Sequence, residues 1–405
     1  MIRASTAHAD ILDMVSTEPL AARHPHKVLN HLAFIRRQER LRAKILADPS
    51  SRQNLDSKAC SLYGQVCHIE LHPTDHCNLS CRLCIYGHDR PAEARPAVYP
   101  FSKLAMLSKM KPRSIVIAGG GEPTLYQDHG YGLDDLVYRL RALFPDVQLA
   151  LITNGTYKPV GYWPREMRWI RLSLDAASAE SYKAIKGLDR FSDVLQNFLA
   201  YLEEPIGQVG IGFLYSSYNH HEYAAVAEFI HDVVACNKTE ALSRVSLQYR
   251  PLVVDNLNGS ASAILTEAEM ENVKESVRSL LIRRPDIVPW LRQRTNISAA
   301  WNHNGPGWVK GDGCYYAEIF RMVRANGDLR PCCILPDSEG LLLGNLFADS
   351  ESDIVANILR MVGRQDEPCS NGLCRMGQIN DVISAGLMGE LSASPLETVQ
   401  ADLMF

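Results

Sequence analysis

Residues 74–90 read TDHCNLSCRLCIYGHDR and set Cys77, Cys81 and Cys84 within eight residues, as C-x3-C-x2-C. Thiols this close read as metal ligands, and structural zinc takes four, usually as two nearby pairs. Three leave a site one ligand short, and what fills the gap decides its chemistry. His88 offers a fourth ligand, so zinc stays open on spacing alone.

Around this loop the chain is ordinary for a globular protein. Its 405 residues suit two or three modules, with 46% hydrophobic and 22% charged residues and a formal net charge of −4. No basic surface points to nucleic acid, and no window approaches the roughly 20 apolar residues of a membrane span. The opening MIRASTAHADILDMV carries no export pattern, so the eleven cysteines suggest metal ligation rather than disulfides, in a cytoplasmic chain.

The texture divides the chain. Residues 1–65 predict a helical N-terminal extension, with Val28, Leu29, Leu32, Ile35, Leu41 and Ile45 at helical spacing and a basic solvated face. From 66 to 255, six short apolar runs alternate with helical patterns: VCHIELHPT (66–74), SIVIAGGGE (114–122), VQLALITNG (147–155), RWIRLSLDA (168–176), QVGIGFLYS (208–216) and RVSLQYRPL (244–252). That alternation predicts an α/β fold with a parallel sheet and right-handed crossovers. Several runs end in polar or glycine-rich turns, at the strand ends where α/β barrels gather function. Residues 256–309 read as a helical and loop connector, 310–380 as a small cysteine-bearing module, and 381–405 as a tail.

Four turns follow the cysteine loop in order: GGGEP (Gly119–Pro123), TNG (Thr153–Gly155), SLDA (Ser173–Ala176) and GIGFLYSSYN (Gly210–Asn219). With C-x3-C-x2-C after the first strand, this set resembles the radical S-adenosylmethionine (SAM) enzymes. The resemblance implies a partial (β/α)6 barrel, and a [4Fe–4S] cluster on Cys77, Cys81 and Cys84 whose fourth iron takes SAM. The missing ligand would then be the cofactor. SAM contacts are implied at Leu83, Gly119, Gly120, Gly121, Glu122, Asn154, Ser173, Asp175 and Gly212. Leu83 stands where the family often has an aromatic residue.

A second cysteine set, Cys314, Cys332, Cys333, Cys369 and Cys374, contains CYYAEIFRMVRANGDLRPC and CSNGLC. It resembles the SPASM and Twitch extensions, which carry auxiliary iron–sulfur clusters, and only one cluster's worth of ligands favours Twitch. The resemblance implies a second [4Fe–4S] cluster on Cys314, Cys332, Cys369 and Cys374. Cys333 is then spare, or takes the place of Cys332; a zinc knuckle on the same thiolates is the plainer alternative.

The resemblance also implies reductive cleavage of SAM to a 5′-deoxyadenosyl radical, fed by a flavodoxin or ferredoxin, and hydrogen abstraction from a substrate. The expected substrate is a small polar molecule of specialised metabolism, sugar or aminocyclitol in kind, undergoing oxidation, epimerisation or dehydration. Maturation of ribosomally made peptides and a non-catalytic iron–sulfur or zinc protein are the alternatives. On RVSLQYRPL, alternation sets Ser246, Gln248 and Arg250 on one face, and Gln248 and Arg250 either grip SAM or substrate or lie at the surface. Cys333, if unligated, is the candidate hydrogen donor of an epimerase. His68, Glu70 and His72 share a polar face of the first strand. WNHNGPGWVKGDG (301–313) is a lid or a linker, and Cys236 is expected to be buried.

Overall fold

The computed structural model describes residues 25–47, 62–86, 96–252, 263–298, 315–333 and 341–362. It divides into two compact units: residues 1–18, 77–90 and 151–305, and residues 19–76, 91–150 and 306–405.

In the first unit, β4 (Met167–Ser173), β5 (Gln208–Tyr215) and β6 (Val245–Pro251) are parallel neighbours, and the end of β3 (Gln148–Thr153) lies beside β4. Ile170, Leu172, Val209, Ile211, Phe213, Val245, Leu247 and Tyr249 are buried on one face. Tyr223, at the start of α5 (Tyr223–Lys238), stacks on Tyr249 and meets Phe213 edge-on, so α5 covers that face. The opposite face carries Arg171, Ser173, Gly210, Gly212, Ser246, Gln248 and Arg250, and its polar side chains are only half-buried. The other helices of this unit are α3 (Ala179–Lys186), α4 (Phe191–Tyr201), α6 (Glu267–Arg283) and α7 (Val288–Arg294). A reciprocal Thr266–Glu269 capping box starts α6, and Met270, Val273, Val277, Leu280 and Leu281 form its buried stripe.

In the second unit, β1 (His68–Leu71) lies between parallel neighbours β2 (Ser114–Ile117) and β7 (Phe320–Val323). Strands β8 (Asp328–Arg330) and β9 (Gly344–Asn345) add antiparallel at the edge. Gly327, at φ 92°, makes the β7–β8 turn; a Cβ there would also strike the Phe347 ring. The helices here are α1 (Pro25–Ala47), α2 (Leu133–Leu143), the one-turn α8 (Tyr316–Ile319) and α9 (Glu351–Val362). Helix α1 docks through polar contacts: His31 meets His68 at 2.7 Å, and Gln38 donates to the Gln65 carbonyl at 3.2 Å.

The fold is thus α/β, with mostly parallel strands in an open arrangement. No helix among the described residues is long and apolar enough to cross a membrane. One expectation is corrected: Cys236 is exposed. Helix α5 buries Val226, Ala227, Ile230 and Val234, and two residues beyond Val234 the helix has turned by about 200° towards solvent.

Candidate functional site

The cysteine loop lies in the first unit, where three sets of ties hold it. Asn78, the residue after Cys77, closes a ring with the turn after β3. Its Nδ2 donates to Thr156 Oγ1 at 2.8 Å, Thr156 Oγ1 donates to Asn154 Oδ1 at 2.7 Å, and Asn154 Nδ2 donates to Asn78 Oδ1 at 2.8 Å. Each member donates once and accepts once, so the ring has one consistent direction.

The second set lies at the C-terminus of α3. The Arg82 amide donates to the Ile185 carbonyl at 2.8 Å, and Ser80 packs on Gly187. Gly187 has φ 81°, and a Cβ there would stand 2.4 Å from Ser80 Oγ. Helix termination and close approach of the loop both require glycine at this position. Thirdly, the Arg82 guanidinium stacks on Tyr218 at 4.4 Å, and Leu83 is buried with Leu252 and Ala263 against Leu214, Tyr218 and Ile264. Leu83 therefore sits in an apolar cluster.

Cys77 is exposed, while Cys81 and Cys84 are half-buried. Burial pushes the Cys81 thiol up to about 11, Lys186 opposes this, and Cys84, Cys77 and Asp175 add to it. The three thiols and the Lys186–Asp175 pair are therefore close enough to feel one another. Among the described residues no three His, Cys, Asp or Glu side chains converge as the ligands of one metal ion. A cluster asks for a different arrangement, since each thiolate binds its own iron.

Asp175 follows β4 in the left-handed region, at φ 58°, where aspartate is among the better-tolerated residues. Its Oδ2 accepts from Lys186 Nζ at 2.5 Å and its Oδ1 from the Leu214 amide at 2.6 Å. Asn219 Nδ2 donates to the carbonyls of Asp175 and Leu214, tying the ends of β4 and β5 together. Burial alone would raise the Asp175 carboxyl, but Lys186 and Arg250 outweigh it and hold it below the usual range. Lys186, whose charge burial disfavours, is raised because Asp175 is adjacent. The two directions agree on an ionised pair. Arg250 Nη2 stands 3.9 Å from Asp175 Oδ1, and Arg171 Nη1 donates to Gln248 Oε1. Ser173 pairs with Gly212, whose carbonyl accepts from the amides of Leu174 and Asp175.

In the second unit, the glycine turn packs against the backbone that leads into the cysteine loop. Gly121 donates to the Thr74 carbonyl and Glu122 to that of His76, at 2.9 and 2.8 Å. A Cβ on Gly121 would lie 2.1 Å from the His76 oxygen. Glu122 is buried, and its Oε1 accepts from the Thr124 amide and hydroxyl, capping the short 3-10 helix Pro123–Leu125. His72 Nε2 lies 2.9 Å from Glu70 Oε1, and His68 Nδ1 lies 2.5 Å from Ser114 Oγ, so the polar set on β1 is engaged within this unit. Cys332 and Cys333 are half-buried here. Cys60, His88, Cys314, Cys369, Cys374 and the 301–313 stretch lie outside the described residues.

The first unit therefore gathers Cys77, Cys81, Cys84, Leu83, Asn154, Ser173, Asp175, Gly212, Gln248 and Arg250 on adjoining loops and strand ends. Sequence reasoning missed Asn78, Lys186 and Arg171. Arg171 was within reach, since alternation along RWIRLSLDA puts it on the Ser173 face. Lys186 before a glycine reads as an ordinary solvated helix end, and nothing local marks its burial.

Residues 71–230 match the family model of the Radical SAM superfamily. Members of that superfamily are enzymes that use SAM and a [4Fe–4S] cluster. The chain is 28% identical over 137 residues to GTP 3′,8-cyclase of Pasteurella multocida, covering 32% of this chain and 39% of that protein. It is 30% identical over 158 residues to GTP 3′,8-cyclase of Edwardsiella ictaluri, covering 36% and 45%. The chain thus spans less than half the length of these relatives. Among solved structures, native anSMEcpe with bound AdoMet aligns at TM-score 0.51 and 16% identity, over 77% of this chain and 88% of that one. Streptococcus suis SuiB bound to precursor peptide SuiA aligns at 0.50 and 16%, over 75% and 68%. The likeness to these two is one of fold, an open partial barrel.

Proposed function

We propose that this chain is a radical SAM enzyme acting on a small polar substrate, and that Cys77, Cys81 and Cys84 hold its SAM-binding [4Fe–4S] cluster. The observation that carries this reading is the cysteine loop itself. Three thiols on one short loop, each part of which is tied to a separate structural element, suit a cluster that takes one thiolate per iron. The donor set fits such a cluster. When bound, the cluster and SAM supply reductive SAM cleavage and abstraction of a hydrogen atom from the substrate.

The protein's own part is to bind, orient and exclude water. The Asn78 ring and the Ser80–Gly187 contact set the direction of the thiols. The Asp175–Lys186 pair and Asn219 fix the ends of β4 and β5, where Ser173 and Gly212 meet SAM. The half-open face of β4–β6 carries Arg171, Ser246, Gln248 and Arg250, hydrogen-bonding groups that suit a sugar or aminocyclitol better than an apolar molecule. Oxidation, epimerisation or dehydration is the expected outcome. Cys314, Cys332, Cys369 and Cys374 would hold an auxiliary [4Fe–4S] cluster, which would supply electron transfer or support to the fold, and Cys333 would be the hydrogen donor in the epimerase case. A flavodoxin or ferredoxin is the reductant.

The test is anaerobic reconstitution of the wild-type chain and of a Cys77→Ala/Cys81→Ala/Cys84→Ala variant, with iron, sulfide and dithionite-driven 5′-deoxyadenosine assayed. About eight irons falling to about four, with deoxyadenosine lost, is the expected result. Zinc in place of iron, or no SAM cleavage by the wild type, refutes the proposal.

A further inference from the structure

The half-open face of β4–β6 has an unusual floor. Register sets Arg171 beside Gly210 and Gly210 beside Ser246, and one step on sets Ser173 beside Gly212 and Gly212 beside Gln248. Two glycines thus occupy the middle strand between polar side chains from both neighbours. A Cβ on Gly212 would stand 3.0 Å from Arg250 Nη2 and 3.4 Å from Arg171 Cδ. One on Gly210 would stand 3.0 Å from Ser246 Oγ and 3.7 Å from Arg171 Cγ. Both arginine side chains therefore lie over bare backbone, where an ordinary strand residue would push them apart.

The groups on this floor are mostly donors. Arg171 donates to Gln248 Oε1, which leaves the Gln248 amide nitrogen as a further donor. Arg250 Nε is buried with no hydrogen-bond acceptor among the described residues. Among the described residues the nearest carboxylate oxygen to Arg250, Asp175 Oδ1, is 3.9 Å away and already accepts from the Leu214 amide. The other Asp175 oxygen is taken by Lys186. The Arg250 side chain keeps 20% of its exposure, so it can be reached from outside. A buried guanidinium nitrogen without an acceptor is costly unless a ligand supplies one, and carboxylate or phosphate matches the guanidinium fork with two parallel hydrogen bonds.

We propose that Arg250, seated over Gly212 and flanked by Arg171 and Gln248, binds an anionic oxygen group, carboxylate or phosphate, carried by the substrate. This rests on the reading of the site given above and narrows its substrate class from polar to polar and anionic. SAM carries a carboxylate too. Arg171, Gly210 and Ser246 lie two residues before Ser173, Gly212 and Gln248, so the polar face extends along the strands beyond the positions assigned to SAM; Arg250 itself lies at the SAM end, over Gly212, and separate SAM and phosphate titrations decide between the two anions.

The test uses the full chain, with inorganic phosphate and SAM as separate probes in calorimetric titrations, before and after cluster reconstitution. Wild type is expected to bind phosphate. Arg250→Gln should weaken phosphate binding by about tenfold to a hundredfold, the loss of a charge-assisted pair, with SAM affinity changed less than about twofold. Gly212→Ala keeps both arginines but displaces Arg250, and should weaken phosphate binding in the same direction. If Arg250→Gln fails to fold by circular dichroism, Arg250→Lys, which keeps the charge but loses the fork, should give a smaller loss. The proposal is overturned if wild type does not bind phosphate, or if Arg250→Gln and Gly212→Ala both bind it as wild type does. It is also overturned if phosphate competes with SAM and Arg250→Gln weakens SAM equally, which assigns the anion site to SAM. Absence of iron or SAM cleavage with phosphate binding intact would sink the radical SAM reading and leave the anion site standing.

Discussion

Removing one partner of the Asp175–Lys186 pair should cost far more than removing both. The separation is 2.5 Å and the two side chains are 8% and 5% exposed. At an effective dielectric of about 20, charges so close attract by roughly 7 kcal/mol, while desolvation opposes this by several kcal/mol per ion. The pair is therefore close to break-even as a whole, and its halves are not. Lys186→Met leaves a buried carboxylate with the Leu214 amide and a distant Arg250, for an expected loss of about 3 kcal/mol, the lower end for a broken buried pair. Asp175→Asn is the clean partner change, because asparagine tolerates the left-handed backbone at φ 58° and still accepts from Leu214. It strands Lys186 and should cost a similar amount. The double variant should lose only about 1 kcal/mol, giving a coupling of roughly 5 kcal/mol from the two single losses of about 3 kcal/mol. Urea unfolding of the apo chain, followed by circular dichroism, measures all four proteins. Additivity of the two single changes within about 0.5 kcal/mol would refute the argument, since uncoupled charges cannot be a buried pair.

Two further outcomes are expected. Asn78→Ala opens the three-membered ring and leaves Asn154 and Thr156 each short of a partner; apo-protein helicity should stay intact while iron uptake on reconstitution falls, and Thr156→Val should share the defect. Wild-type iron uptake in both would show that the ring does not set the loop. Glu318 is buried near Arg42, and burial, with a smaller push from Glu39, raises its carboxyl from the ordinary 4.5 to about 7 against the opposing pull of Arg42 and Arg321. The folded state therefore keeps a proton that the unfolded chain releases between about pH 4.5 and 7, so stability should fall as pH rises through that window and level off above it. Glu318→Gln should flatten that slope, by an amount on the order of 3 kcal/mol at most; parallel melting-temperature profiles from pH 5 to 8 would contradict it.

The strands and their order along the chain were legible because period-two and period-3.6 patterns are local properties. The same alternation that buries Val245, Leu247 and Tyr249 turns Ser246, Gln248 and Arg250 the other way. The cysteine loop was legible because thiol spacing is itself the signal. Pairing between distant segments was not. β7 lies beside β1 across some 250 residues of chain, and no local pattern in FRMV announces its partner. Lys186 escaped for the same reason: its burial depends on Asp175, and a lysine before a glycine looks identical at a solvated helix end. The resemblance marks Gly212 as a cofactor contact, and register with β4 and β6 shows what Gly210 and Gly212 make room for.

The cysteine loop has to meet two demands that compete. Its thiols must face outward to take ligands, so the loop cannot be fixed by burying its own side chains; Leu83 is the buried hydrophobic residue between Cys77 and Tyr86. Position must then come from directional contacts, and the loop has them before, between and after its second cysteine. Asn78 fixes the approach to β3, Ser80 the close pass at Gly187, and Arg82 both the α3 carboxyl end and the Tyr218 ring. Hydrogen bonds of this kind contribute little net stability each but lose much when left half-made, which makes them better at specifying one geometry than at holding a segment together. A loop built this way gains its last increment of order from whatever its thiols bind, because ligand binding and ordering are then one equilibrium. That coupling explains why polar residues beside the cysteines, rather than a larger apolar core beneath them, carry the design of this site.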